Sequence, residues 1–259
     1  SLRAHVISGI DKNMSLLTYA NPQRFLRFAG IVILPVLVIG GAMAVIGLYA
    51  AFAYAPADYQ QGETVRIMYI HVPAAWLSMA CYSLMTLSSI GTLVWRHPLA
   101  DVSAKAMAPI GAAFTVICLV TGSLWGRPMW GTWWVWDARL TSVLVLFLIY
   151  CGILALWNAF EDPARGGRAA AVMTLVGAIN LPIVKFSVDW WNTLHQPASV
   201  FRMGGPTIDK SMLWPLLLVA LGMTIVMLGL HLAAMRNEIL RRRLRTMGLL
   251  AAHGDGHAG

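Results

Sequence analysis

The sequence predicts an all-α polytopic membrane protein with six transmembrane helices, both termini on the cytoplasmic side. Three observations carry that prediction. Hydrophobic residues make up 58% of the 259 residues and charged residues only 12%, about half the charge of an ordinary soluble domain. Mean hydropathy is +0.67, and the apolar runs exceed the ~20 residues needed to cross a bilayer. The alternation expected of outer-membrane strands is absent.

Residues 1–28 are polar and basic, with Arg3, Lys12, Arg24 and Arg27, and read as a cytoplasmic segment without a cleavable signal pattern. The first span is expected at Ala29–Tyr54, with Gly40-Gly41 as a close-packing point. A polar loop, Pro56–Tyr69, leads to a second span at Pro73–Trp95 and a third at Ala104–Leu124. The fourth is expected at Ala138–Phe160, with Asp137 as its N-cap. The fifth, Ala169–Val188, should bend at Pro182, and the sixth covers Met212–Ala234. The membrane domain is thus 29–235. The tail, 236–259, starts as a basic helix and ends in a Gly/His-rich stretch expected to be disordered.

Charge sets the orientation. Thirteen of the 19 lysines and arginines fall before the first span, between spans two and three, between four and five, and in the tail. The richer side is cytoplasmic by the positive-inside rule. The net charge of +8 therefore reports topology, and no aromatic–basic groove points to nucleic acid. Cys81, Cys118 and Cys151 each fall within a span, as packing residues do. The chain has no C-x-x-C-H site for covalent haem attachment.

Between spans three and four, residues 125–142 read WGRPMWGTWWVWDARLTS. Trp125, Trp130, Trp133, Trp134 and Trp136 are five of the chain's eleven tryptophans. Single tryptophans at a membrane boundary are usually belt anchors, as Trp76, Trp95, Trp157 and Trp214 are expected to be. Five in one outward loop form a platform for a large planar ligand.

Two histidines fall on the same side. His71 precedes the second span, where a helix N-terminus disfavours imidazolium and keeps the ring able to bind metal. His195 lies just past the fifth span. A lone histidine at an interface is usually a solvated side chain, but two beside an aromatic platform match the axial ligation of haem iron. Two histidines without a nearby carboxylate or thiolate do not make a zinc site. Arg66, Arg127 and Arg139 are candidates for haem propionates, with headgroup contact as the competing role. Lys185 and Asp189, four apart, are expected to pair with each other.

The run Trp130–Thr141, WGTWWVWDARLT, resembles the tryptophan-rich signature of the haem-handling family that includes cytochrome c maturation protein C (CcmC). Six spans, one such loop and one histidine in each flanking outer loop are similar to its CcmC-type members. The resemblance implies His71 and His195 as axial ligands of the haem iron, with Trp125, Trp130, Trp133, Trp134, Trp136 and Asp137 around them. It implies non-covalent haem b, a bacterial inner-membrane location and a haem-transfer role rather than conventional catalysis. The implied partners are the periplasmic haem chaperone CcmE, the ABC-type subunits CcmA and CcmB, and the small membrane subunit CcmD. Two alternatives stay open: a permease component of a haem-exporting ABC transporter, and a structural anchor of that complex.

Overall fold

The computed structural model describes residues 21–197 and 199–255, so Arg3, Lys12 and the last four residues of the Gly/His-rich end lie outside the described residues. Seven α-helices account for most of it: α1 Pro22–Ala53, α2 Met68–Val94, α3 Pro98–Trp130, α4 Ala138–Ala159, α5 Pro163–Gly177, α6 Asn180–Trp190 and α7 Lys210–Asp255. A 3₁₀ turn, Glu63–Ile67, runs directly into α2. With α5 and α6 counted as one broken rod, six segments are long and apolar enough to cross a membrane. Helices satisfy their own backbone groups, which is what lipid demands of a spanning segment.

The boundaries depart from the sequence reading where the polar ends stay helical. α1 begins at Pro22, capped by Asn21, and α3 begins at Pro98 rather than Ala104. α3 also continues past Leu124 to Trp130 and stops at Gly131, whose φ of 75° supplies the left-handed residue common at a helix C-terminus. The fifth span breaks as expected, but at Ala178–Ile179, ahead of Asn180 and Pro182. α7 is a single helix of 46 residues, ~69 Å at 1.5 Å per residue, so it projects well beyond the bilayer.

Helices α2 to α6 enclose the central core, in which Tyr82, Met85, Met107, Leu146, Tyr150 and Ile153 are fully buried. Two buried hydroxyls there are satisfied by carbonyls: Tyr82 donates to Thr174 (3.0 Å) and Tyr150 to Ser78 (2.9 Å). α1 packs along α7 and buries little else. A Cβ on Gly222 of α7 would lie 2.4 Å from the Ala44 nitrogen, and one on Gly40 would lie 2.8 Å from the Val226 nitrogen. The backbones touch there, as small residues allow in lipid. Gly41, by contrast, faces open space.

At the end where the chain begins, an ionic cluster ties α7 to α3. Lys105 pairs with Glu238 at 2.9 Å, while Arg242 reaches Glu238 at 2.8 Å and Asp101 at 2.6 Å. About two turns before Glu238 on α7, His231 hydrogen-bonds Ser103, which bonds Ser88. Gly222→Leu, by wedging α1 away from α7, is expected to destabilise the fold by about 1–3 kcal/mol. Gly41→Leu should leave it unchanged. Thermal unfolding of both variants in the same detergent checks the contrast.

Candidate functional site

The site lies at the opposite end from the ionic cluster, where α2, α3, α4 and α6 meet two connecting segments, 131–137 and 191–209. Two adjoining cavities open there and share His71, Gly122, Trp130, Arg139 and His195. The deeper one encloses about 570 Å³ and the wider about 1430 Å³, open solvent included. The walls of the wider one are mostly apolar or aromatic, with Val72, Trp76, Trp125, Met129 and Phe201 prominent.

His71 is not ahead of its helix. The 3₁₀ turn makes it part of a continuous rod beginning at Glu63, so it stands about two turns in. Its orientation comes from α3: Nδ1 lies 3.1 Å from the Cys118 carbonyl oxygen and 3.1 Å from Thr121 Oγ1. A carbonyl only accepts, so Nδ1 carries the proton and donates, and Nε2 keeps its lone pair. The Thr121 hydroxyl donates to the Ile117 carbonyl and is thereby free to accept. A Cβ on Gly122 would come within 3.0 Å of His71 Cε1, so glycine at this position makes room for the ring. Trp125 meets the same ring edge-on at 5.7 Å.

His195 sits in the 191–209 connection, and its Nδ1 lies 3.4 Å from Asp137 Oδ2. The other carboxylate oxygen caps α4 through the Leu140 N–H at 2.8 Å, as expected of an N-cap. Asp137 thus joins two segments 58 residues apart. Burial holds the imidazole's pKa below its ordinary value; Asp137 opposes this, and Arg139 reinforces it. The neutral ring again has Nε2 free, with Trp130 edge-on at 5.0 Å. A carboxylate behind the distal nitrogen is the usual means by which proteins orient a metal-binding histidine.

The expected platform is divided. Trp125 and Trp130 belong to the last turns of α3 and line the cavities; Trp134 lines the deeper one. The buried Trp134 Nε1–H has no hydrogen-bond partner, a vacancy worth about 1–3 kcal/mol if nothing fills it. Trp133 and Trp136 are exposed and are not among the residues that line the two cavities. Trp133 lies instead under the Arg127 guanidinium, 6.0 Å away.

Two of the three arginines are also elsewhere. Arg66 pairs with Glu63 and donates to the Ala51 and Phe52 carbonyls at the end of α1. Arg127 donates to the Gly131 carbonyl. Arg139 alone lines the cavities, its Nε donating to Ser187 Oγ at 2.6 Å. Lys185 and Asp189 do not form the expected ion pair; both line the wider cavity. Sequence reasoning missed Lys185 by assigning it a local partner, although a charge within a span is itself a functional signal. Nothing in the sequence marked Cys118 or Thr121.

The donor set suits a macrocycle held by two imidazoles. Among the described residues, no three His, Cys, Asp or Glu side chains cluster to hold a bare ion. The two Nε2 atoms, the aromatic walls and the orphaned indole N–H fit a large flat group with an iron centre and acceptor atoms at its edge.

A family profile described as "Heme exporter protein C" (CcmC) matches residues 15–249. The chain belongs to the CcmC family. The heme exporter protein C of Bradyrhizobium diazoefficiens is 64% identical over 239 residues, 92% of this chain and 90% of that protein. The Escherichia coli K12 protein of the same name is 48% identical over 221 residues, 85% of this chain and 89% of its own length. A ccmC-like mitochondrial protein of cytochrome c biosynthesis from Marchantia polymorpha is 50% identical over 177 residues, 68% of this chain and 75% of its own. With six spans and these bacterial relatives, the chain is a multi-pass inner-membrane protein.

Asp137→Ala is expected to cost the CcmC-type fold about 1 kcal/mol through loss of the α4 cap. Asp137→Asn, which still accepts from Leu140 N–H, should cost only a fraction of that. Paired thermal melts in detergent distinguish the two.

Proposed function

We propose that the chain handles haem for cytochrome c biogenesis, holding haem b non-covalently at the periplasmic face and passing it to the chaperone CcmE. One observation carries this reading. Two imidazoles from segments distant in sequence line a single cavity, each with Nδ1 engaged and Nε2 free. Haem iron takes axial ligands of this kind, and the organic chemistry of the eventual attachment belongs to the cofactor. His71 and His195 bind the iron; Trp125 and Trp130 pack beside the two rings; Asp137 keeps His195 in the binding tautomer. The positive-inside charge distribution supports a periplasmic site and a cytoplasmic ionic cluster.

The family name supports association with an ABC-type export assembly, with CcmA, CcmB and CcmD as the proposed partners. Among the described residues, most buried side-chain polar groups within the spans are hydrogen-bonded inside the protein. A permease would need polar groups left to line a route, so we read the chain as a receiver at the outer surface.

The purified chain should show a low-spin visible haem spectrum. The His71→Ala, His195→Ala double variant should lose it, and an unchanged band would remove these ligands from the account. Asp137→Ala should weaken haem retention by about 10–100-fold, measured by competition with apomyoglobin. Acid sensitivity has a definite sign. Because His195 is held below its ordinary value of about 6.5, protons displace the iron only at lower pH. The low-spin band should therefore survive to pH 6.5, and a loss centred above that value would contradict a depressed pKa.

A further inference from the structure

We infer that Lys185 and Arg139 together form a carboxylate subsite that takes the two propionates of the macrocycle and fixes its edge against α6; this rests on the haem reading of the cavity. Lys185 and Arg139 form no ion pair among the described residues. Lys185 lies five residues before the end of α6, within the fifth span. An ammonium at that depth is costly unless it meets a counter-ion or water. Asp189 is one turn away, at the spacing that favours an ion pair, yet the two side chains do not pair, and both line the wider cavity. Lys185 is thus free to meet an anion in that space.

Arg139 supplies the second cation. Its Nε is anchored to Ser187 Oγ, and Ser187 in turn donates to the Val184 carbonyl. The anchor fixes the guanidinium beside α6, and the wider cavity that both cations line is what brings it together with Lys185. Among the described residues the guanidinium's terminal nitrogens form no ion pair within 4 Å, although Asp137 and Asp189 act on it at longer range. Guanidinium and ammonium groups are the strong partners of carboxylates. The other cavity-lining charges give the subsite its direction. Asp189 is the acidic group on the same wall, and Asp137 is already committed to Leu140 and His195. From α2, α3 and the loop ahead of them come Trp76, Trp125 and Gln61, whose Oε1 accepts from Trp125 Nε1 at 3.0 Å. Among the described lining residues these segments contribute no lysine or arginine, so the carboxylate edge of the ligand belongs at α6.

The test uses the full chain in nanodiscs of neutral phosphatidylcholine, titrated with haem and with haem dimethyl ester, whose propionates carry no charge. The wild type should bind haem at least about tenfold more tightly than the ester, equivalent to ~1.4 kcal/mol. Lys185→Met should lose most of that preference while keeping the low-spin bis-histidine band. Lys185→Arg should restore it, and Asp189→Asn should keep or increase it. An unchanged preference in Lys185→Met would overturn the subsite and leave the haem reading intact. A wild type with no low-spin band for either porphyrin would overturn both. Addition of phosphatidylglycerol separates a lipid headgroup from a propionate. If it weakened haem binding in the wild type and not in Lys185→Met, a headgroup would be the occupant and the inference would fail.

Discussion

Three donors converge on the carboxylate of Asp137: the Leu140 N–H that begins α4, the Leu194 N–H, and the imidazole Nδ1 of His195. The side chain is almost wholly buried while accepting them. A carboxylate in such a place is tolerable only because its oxygens are satisfied. The consequence is geometric. The 191–209 connection has little regular structure of its own, and this carboxylate registers it against the start of α4. His195 is thereby brought to the cavity that His71 reaches from α2.

The two histidines are held by different chemistry. His71 donates to a main-chain carbonyl and a hydroxyl on α3, a neutral environment rigidly fixed by a long helix. His195 faces a carboxylate in a loop, which makes its Nε2 the stronger electron donor. On the proposed haem reading, unequal ligands would suit a holder that must also release its cargo. The helical frame supports this division: the α1–α7 backbone contact and the Lys105–Glu238–Arg242–Asp101 cluster close the other end of the bundle. The open, adaptable surface is left at the tryptophan-rich end.

Much of the frame was legible because it follows from composition and period. Long apolar runs bounded by Pro, Gly and charge can only be spans, and Asp137 ahead of an apolar segment reads as a cap. The site was legible in kind, through paired histidines and tryptophans, but only partly in detail. The stretch from Trp125 to Trp130 stays helical through Gly126 and Pro128, residues that argue locally against it, and α3 stops only at Gly131. That moves two indoles onto a helix wall and leaves Trp133 and Trp136 outside. Arg66 and Arg127 resemble Arg139 in sequence, yet local carbonyls capture them. Residue type alone carries no information about that competition. Thr121, Gly122 and the Cys118 carbonyl act through a helix–helix contact that no local pattern encodes.

The central claim is that one iron centre is bound from two distant segments at once. Electron paramagnetic resonance of the ferric, haem-loaded chain tests it most directly, together with the single variants His71→Gly and His195→Gly. The account predicts a low-spin signal from two nitrogen ligands in the wild type and a high-spin signal in each single variant. A low-spin signal that persists unchanged in either one would contradict it.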